Sequence, residues 1–213
     1  MSAIPTRDEM LRVLEQRHGK EVQERFSNST VAICGLGGLG SNIAVSLARA
    51  GVGTLILIDF DRVDVSNLHR QQYLTSQVGQ PKTEALSQNL RSIAPYLSIV
   101  SRTIRVTEDN LEELLTGTDV ICEAFDRAEA KAMLVNGVLE RFPETYLVAA
   151  SGMAGFAPAN QIRTRRITKR FYLCGDEVSD VNDGIGLVSS RVAVCAAHQA
   201  HTVLRILAGQ FEA

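Results

Sequence analysis

VAICGLGGLGS, residues 31–41, begins as a short apolar run and breaks into glycines, and the next apolar run, TLILID, ends at Asp59. The glycines of this loop are Gly35, Gly37, Gly38 and Gly40. A strand that ends in such a loop lets backbone N–H groups and the start of the next helix face a phosphate, because no Cβ blocks the approach. Asp59 stands where a carboxylate reaches ribose hydroxyls in a βαβ nucleotide unit. The pattern predicts a nucleotide site without identifying the nucleotide.

Strand-like and helix-like segments alternate through most of the remaining chain. We predict strands at about 30–35, 54–59, 97–103, 118–123 and 146–151, and helices at 40–51, 81–94, 108–115 and 127–141. This alternation is typical of a mostly parallel sheet with crossover helices. Four of these strands, VAICG, LILID, DVICEAF and YLVAAS, are apolar at nearly every position, which indicates that helices cover both faces. The sequence therefore predicts a Rossmann-like α/β fold.

The two ends of the chain add to this sheet. Residues 7–26 carry approximate helical periodicity, interrupted at His18 and Gly19, so residues 1–28 are expected to form an N-terminal helical arm of one or two helices. Residues 161–173 alternate polar and apolar side chains in places, which predicts antiparallel strands added at the C-terminal end. A last helix is expected at about 189–208. The whole chain, 1–213, is predicted to form one domain.

Composition narrows the function classes. A net charge of −2 over 213 residues gives no general electrostatic reason to expect nucleic acid or an anionic membrane as partner. The first 30 residues lack an apolar leader and no 18-residue apolar span occurs, so we expect a cytoplasmic protein. The four cysteines form no CxxC pair, so no zinc site of paired cysteines is predicted.

Five segments in order carry a family resemblance: GLGGLGS, DFDRVDVSNLHRQ, VGQPK, EAFD and ASGMAG. The chain resembles the activating-enzyme superfamily that adenylates the C-terminus of ubiquitin-like proteins. Within it, the chain is similar to the ThiF and MoeB sulfur-carrier adenylyltransferases, in their compact ThiF-like branch, over roughly residues 10–208. The resemblance implies adenylation of a small carrier protein with a Gly-Gly C-terminus, in thiamine or related sulfur transfer, with ATP and Mg²⁺.

Several residues in these segments suit the phosphate chemistry of adenylation. A carboxylate must attack the α-phosphate while pyrophosphate leaves, so fixed cations and a metal are needed. Arg70 offers a planar fork and Lys82 a compact charge, and Asn67 offers an amide donor. By resemblance, Asp126 holds the Mg²⁺. Two roles remain open for Asp61: it lies near the ribose or phosphates, or it stabilises a turn.

The family also implies contributions from the ends of the chain. Relatives insert an N-terminal arginine into the partner subunit's ATP site, so the resemblance implies a homodimer, with Arg17 as the candidate and Arg12 as second choice. Some members carry a cysteine that links covalently to the activated carrier. Cys174 lies in the corresponding region, but its surroundings do not match and a loop or core thiol is the favoured reading. Larger members hold structural zinc in two CxxC pairs, which this chain lacks.

Each candidate has an ordinary structural alternative. Arg70 and Lys82 could be ordinary surface charges. Asp59 could cap a loop, and Asp126 could cap the helix that follows it. Cys195, His198, His201 and Thr202 are expected to form a structural helix face rather than a metal site. The basic cluster contains Arg163, Arg165, Arg166, Lys169 and Arg170, and either a solvated sheet edge or a docking surface for an acidic carrier would explain it.

Three other functions remain open from the sequence. An NAD(P)-dependent oxidoreductase would use the glycine loop and Asp59, but it has no need of Arg70, Lys82 and Asp126 around a triphosphate. A non-catalytic partner subunit would bind ATP without transferring it. A small-molecule or peptide carboxylate would be adenylated by the same phosphate chemistry.

Overall fold

The described residues of this computed structural model are 4–182 and 184–213. They contain seven strands: β1 Thr30–Cys34, β2 Thr54–Ile58, β3 Ser98–Arg102, β4 Val120–Glu123, β5 Tyr146–Ala150, β6 Arg163–Arg166 and β7 Phe171–Gly175. The strands form one sheet in the order β3-β2-β1-β4-β5-β7-β6. All neighbouring pairs are parallel except β6 and β7, which are antiparallel. The predicted mostly parallel sheet with antiparallel strands at its C-terminal end is confirmed.

The helices fall close to the predicted bounds. They are α1 Arg7–His18, α2 Lys20–Asn28, α3 Gly38–Ala50, α4 Lys82–Ile93, α5 Leu111–Leu115, α6 Ala128–Arg141 and α7 Ser189–Leu207. A 3-10 turn at Glu108–Asn110 fills the start of the segment predicted as a helix at 108–115. The break at Gly19, where φ is +83°, divides the N-terminal arm into two helices. Residues 1–3 of that arm lie outside the described part of the chain.

Strand β1 shows why its sequence is apolar from Val31 to Cys34. Val31 and Ile33 are buried in a core that contains side chains of α3, α4 and α7, whereas Ala32 and Cys34 are buried in a second core with α5 and α6. Because successive side chains of a strand point to opposite faces, a strand covered on both sides alternates between two apolar layers. The prediction that helices cover both faces of the sheet is confirmed.

The order of the strands fixes the location of a ligand crevice. The chain builds β1, β2 and β3 outward in one direction and then returns to place β4 on the other side of β1. At such a switch point the loops after the two central strands diverge, and ligands bind outside the carboxyl ends of the strands. The loops that begin at Gly35 and Ala124 are the two that meet there.

The N-terminal arm packs at the opposite end of the sheet. Met10 and Leu14 of α1 line a hollow together with Gly53 and with Thr54 and Ser98, the first residues of β2 and β3. The arm therefore lies at the amino ends of the strands. No helix within the described ranges is long and apolar enough to cross a membrane. The prediction of a single domain over residues 1–213 stays a prediction.

Candidate functional site

The glycine loop is closed by two tight backbone contacts. Gly35 has φ +93°, and a Cβ added there would lie 2.7 Å from the carbonyl oxygen of Ala124, which follows β4. A Cβ at Gly40 would lie 1.8 Å from the carbonyl oxygen of Gly35. By contrast, a Cβ at Gly37 would meet only the Gln71 side chain, at 3.7 Å. Gly37 therefore leaves space open at the start of α3, whose first amides have no partner within the helix.

Asp59 fastens this loop to the end of β2. Its Oδ2 accepts a hydrogen bond from the Leu36 N–H at 2.6 Å, and its Oδ1 accepts one from the Asp61 N–H at 2.8 Å. The side chain is buried but lines the first cavity. Asp59 thus has the loop-capping role that the sequence offered as its alternative. Each carboxylate oxygen retains a lone pair, so the predicted ribose contact stays a prediction.

Two cavities meet at the switch point. The first cavity has a volume of about 390 Å³ and lies between the ends of β2, β3 and β4, with Asp59, Phe60 and Arg105 in its lining. The second cavity, of about 280 Å³, is lined by Arg70 and by the loop after β5 that starts at Ser151. Both cavities are lined by Gly37, Ala124, Phe125 and Asp126. We call these four residues the shared floor.

Arg70 brings positive charge to the second cavity. The guanidinium is half-buried, its Nη1 donates to the Ser66 carbonyl oxygen at 3.3 Å, and its Nε is buried without a hydrogen-bond partner among the described residues. Burial lowers the pKa of Arg70, and the negative charge of Asp126 opposes that shift. Since guanidinium groups stay protonated in proteins, an underused buried donor is suited to an anion such as a phosphate.

Lys82 and Asp61 form a pair at the end of β2. Lys82 is the first residue of α4, and its Nζ donates to Asp61 Oδ2 at 3.1 Å. The lysine side chain is 6% exposed and the aspartate side chain 48%, so Asp61 faces the first cavity while Lys82 lies behind it. Asn67 lies on the turn that precedes Arg70, and its carbonyl oxygen accepts the Arg70 N–H at 3.2 Å. Asn67 is outside the lining of both cavities as the described residues define it.

Asp126 is exposed in the shared floor. Helix α6 has Arg127 at its N-cap position with no side-chain cap, so the alternative that Asp126 merely caps this helix is wrong. In the part of the chain that the structure describes, no group of three or more His, Cys, Asp or Glu side chains could hold a metal ion. One carboxylate fits a Mg²⁺ whose remaining ligands are phosphate oxygens and water, which is how this ion usually binds in nucleotide sites.

Arg17 lies far from this site within its own chain. It is an exposed residue in the last turn of α1, at the amino ends of the strands, whereas the shared floor is at their carboxyl ends. The strands between them have about five residues, or ~16 Å at the usual rise per residue. Arg17 therefore reaches an ATP site only from a second copy of the chain, and its predicted role stays a prediction.

The two cysteines that the sequence singled out are both buried. Cys174 lies inside β7, and burial raises its pKa to about 11, so the thiolate needed by a nucleophile is disfavoured. Burial likewise raises the pKa of Cys195 to about 12. His198 Nδ1 lies 3.0 Å from the Thr164 hydroxyl on β6. On α7, Cys195 and Thr202 are thus packing residues, whereas His201 is exposed.

The sequence interpretation missed two ion pairs, one at the second cavity and one beside its wall. Lys131 Nζ donates to both oxygens of Glu123 at 2.9 Å. Arg191 of α7 is buried and pairs with Asp176. The first pair had a signal, because Glu123 is a carboxylate inside an otherwise apolar strand, DVICEAF, and a buried charge requires a partner. Nothing in the sequence indicated the second pair, which joins the loop after β7 to the first turn of α7.

The sequence model of the ThiF family matches residues 10–213. A Bacillus subtilis (strain 168) protein named tRNA threonylcarbamoyladenosine dehydratase is 35% identical over 153 residues, 71% of this chain and 59% of that protein. The Escherichia coli (strain K12) sulfur carrier protein ThiS adenylyltransferase is 31% identical over 192 residues, 88% of this chain and 75% of that protein. The crystal structure of E. coli tRNA N6-threonylcarbamoyladenosine dehydratase in complex with AMP shares the fold, with a TM-score of 0.85, 22% identity and 98% of each chain covered.

A glycine loop, a carboxylate at the end of β2 and an arginine beside a shared floor define a nucleotide-binding α/β protein. The chain belongs to the ThiF family. This confirms the predicted resemblance, and adenylyltransferase, the enzyme class it implied, is also the class in the ThiS relative's name. Several curated relatives are longer, and the chain spans 59%, 43% and 30% of the length of three of them.

Proposed function

We propose that this protein transfers the adenylyl group of ATP to the C-terminal carboxylate of a small ubiquitin-like sulfur carrier of the ThiS type, as a step of thiamine or related sulfur transfer. The observation that carries the proposal is the shared floor, because Gly37 and Asp126 line both cavities. A nucleotide and a second substrate react only when two compartments meet at the reacting atom. The proposal includes a cytoplasmic homodimer that uses Mg²⁺.

The reaction makes one bond and breaks one. A carboxylate oxygen attacks the α-phosphorus, the bond to the oxygen that bridges to the β-phosphate breaks, and pyrophosphate leaves with the negative charge. Arg70 donates to phosphate oxygens from the side of the second cavity, and Lys82 acts with Asp61 from the side of the first. Asp126 would hold the Mg²⁺, which would supply positive charge beside the phosphates.

The first cavity is proposed to hold the nucleoside. Asp59 lines it with one lone pair free on each oxygen, which suits ribose hydroxyls, and Gly37 leaves room for phosphates at the start of α3. Asn67 holds the Arg70 backbone and is proposed to complete the loop around the phosphates. In this proposal the predicted nucleotide-binding residues bind ATP and not a dinucleotide.

The second cavity is proposed to hold the carrier's tail. Its wall includes the segment from Ser151 to Ala154, where Gly152 has φ +78° and a Cβ would lie 2.0 Å from Asp176 Oδ1. A tail that ends in Gly-Gly has no side chains at its end, which suits a narrow compartment that leads to the shared floor.

Carrier-dependent exchange between ATP and labelled pyrophosphate tests the proposal. We expect exchange with a ThiS-like carrier, and we expect Arg70→Ala to lower its rate about 100-fold because a donor to the reacting phosphates is lost. Arg49→Ala, at an exposed position on α3, is the matched control and should retain the rate. Binding of ATP without exchange would favour the non-catalytic partner, and stronger thermal stabilisation by NADH than by Mg-ATP would favour an oxidoreductase.

A second candidate is the dehydration of threonylcarbamoyladenosine in tRNA, the activity in the name of the Bacillus relative. The observation that favours it is the basic cluster, in which the exposed Arg163 lines a hollow next to Arg165, although Arg165 pairs with Glu177. The threonyl group supplies a carboxylate for the same phosphate chemistry. Incubation with Mg-ATP and modified tRNA, in place of a carrier, distinguishes the two substrates, and the net charge of −2 favours the carrier.

A further inference from the structure

Lys131, whose side chain is 25% exposed, and the buried Glu123 form an ion pair directly beneath the shared floor. Glu123 is the last residue of β4, and its side chain is 1% exposed. The ammonium of Lys131, on α6, lies 2.9 Å from each carboxylate oxygen and 3.0 Å from the Phe125 carbonyl oxygen. An ammonium has three donors, so these three acceptors use all of them. Lys131 is therefore fully engaged although it lines the second cavity.

The pair holds one peptide segment from both sides. Glu123 Oε1 accepts the Phe125 N–H at 2.7 Å, and Lys131 holds the carbonyl oxygen of the same residue. Phe125 immediately precedes Asp126. From the other face of the sheet, Gln199 of α7 donates to the Glu123 carbonyl oxygen at 3.0 Å. The segment that presents Asp126 is thus fixed by side chains other than that of Asp126 itself.

Stability alone does not account for this pair. Taking the Glu123 charge out of water is costly, and replacing an ion pair with a buried member by apolar residues of similar volume is often neutral or stabilising. The pair has a specific geometric effect, because it holds both the N–H and the carbonyl oxygen of Phe125, the residue before Asp126. A ligand carboxylate that must meet a metal within a few tenths of an ångström depends on such supporting contacts.

We propose that Glu123 and Lys131 are positioning residues that hold the Phe125 backbone, so that the Asp126 carboxylate stays in the shared floor where the phosphates and their metal bind. This inference rests on the proposed function and deepens it. Lys131 acts through Phe125 and makes no direct contact with phosphate. The charge of Glu123 serves to hold the lysine in place.

The test compares Lys131→Met with Lys131→Arg. We measure calorimetric binding of ATP with Mn²⁺, binding of ATP in EDTA, and thermal unfolding. Lys131→Met should weaken metal-dependent binding by about 10-fold or more, the usual effect of losing a group that supports a metal ligand, and should leave binding in EDTA unchanged. Lys131→Arg should restore much of the metal-dependent binding. Arg25→Met, which removes an exposed pair with Glu21 on α2, is the control.

A second variant separates positioning from folding. Lys131→Met leaves Glu123 buried without a cation, which favours unfolding, whereas Glu123→Gln/Lys131→Met removes both charges. We expect the double variant to fold and still bind Mn²⁺-ATP weakly, because the Phe125 carbonyl oxygen has lost its donor. Unchanged metal-dependent binding in the folded double variant overturns the proposal. Equal weakening with and without metal also overturns it, since Lys131 would then bind phosphate directly.

The readouts keep this inference separate from the proposed function. If the wild-type protein shows no carrier-dependent exchange but Lys131→Met weakens Mn²⁺-ATP binding selectively, the proposed function fails and the positioning role stands. If exchange occurs and the variants bind Mn²⁺-ATP like the wild type, the positioning role fails alone.

Discussion

Asp176 and Arg191 show how single charged side chains hold the walls of the second cavity. Arg191 donates to the carbonyl oxygens of Ala157 and Pro158 and pairs with Asp176, so it ties α7 to the loops after β5 and β7. Asp176 in turn accepts the N–H groups of Val178 and Ser179, both at 2.9 Å. The loops are thus fixed by one ionised carboxylate whose loss would free both walls.

The protonation of Asp176 should therefore be visible in stability at low pH. Burial raises the pKa of Asp176, but hydrogen bonds from Ser179 and Val178 and the contact with Arg191 outweigh burial and hold it at about 2, below the ordinary 3.8. A folded-state pKa below the unfolded value stabilises the fold above pH 3.8, and that stabilisation is lost as pH falls toward 2.

We expect the melting temperature of the wild type to fall between about pH 4 and pH 2. Asp176→Asn should melt lower at neutral pH and lose less on acidification, because it has no carboxylate to protonate. Calorimetric melting from pH 2 to pH 7 measures both, with Asp109→Asn, at an exposed site, as control. Parallel pH curves for wild type and Asp176→Asn would contradict the assignment.

At the scale of the elements, two glycines of the glycine loop serve different purposes. Gly40 is needed for close packing, and Gly37 leaves space for a ligand. A methyl group at Gly40 would clash with the Gly35 carbonyl oxygen, whereas a methyl group at Gly37 would enter the shared floor with only Gln71 nearby. We expect Gly40→Ala to destabilise the fold by about 1–3 kcal/mol or more, since backbone must move to admit the methyl group. Gly37→Ala should melt like the wild type and bind ATP less tightly.

Thermal unfolding and ATP titration of the two variants measure these effects. Ser46→Ala, on the same helix, is a control that changes a side chain away from the loop. A loss of stability in Gly37→Ala as large as that in Gly40→Ala would show that both glycines serve packing, and the proposed phosphate space would then be wrong.

The elements also show what the sequence could predict. Continuous apolar runs identified β1, β2, β4 and β5, because burial on both faces leaves few polar positions, whereas β3 is an edge strand with exposed polar residues. The hairpin of β6 and β7 was predicted only in outline. Its local pattern indicates antiparallel pairing, but nothing local says that β7 lies parallel to β5, since that contact joins segments separated by a long connection.

The sequence could predict those site residues whose charged side chains come directly after a predicted strand. Asp59 and Asp126 follow strands that end at the switch point, so the fold alone brings them to one edge. The burial of Lys82 behind Asp61 was not predictable, because it depends on how α4 packs. The link between Glu123 and Lys131 likewise depends on where the first turns of α6 come to lie.

At the scale of the whole molecule, the N-terminal arm and the site lie at opposite ends of the sheet. Helix α1 packs beside the first residues of β2 and β3, and its contacts include a hydrogen bond from Tyr96 Oη to the Pro5 carbonyl oxygen at 2.9 Å. An exposed arginine in its last turn has no route to the shared floor of its own chain. A contribution of Arg17 to catalysis consequently requires a second copy of the protein.

Mixed subunits test this directly. Two differently tagged chains, Arg17→Ala and Asp126→Ala, are inactive alone if both residues are needed, but a mixed dimer contains one site with both residues intact. Random pairing makes half of the dimers mixed with one intact site each, so co-expression should restore about a quarter of the wild-type sites before purification, and the doubly purified dimers, which are all mixed, should contain about half. Pyrophosphate exchange by the doubly purified dimers measures the recovery, with Arg12→Ala in place of Arg17→Ala as comparison. Mixed dimers without recovery would show that Arg17 does not act across a subunit boundary, and α1 would then serve only to cover the amino ends of the strands.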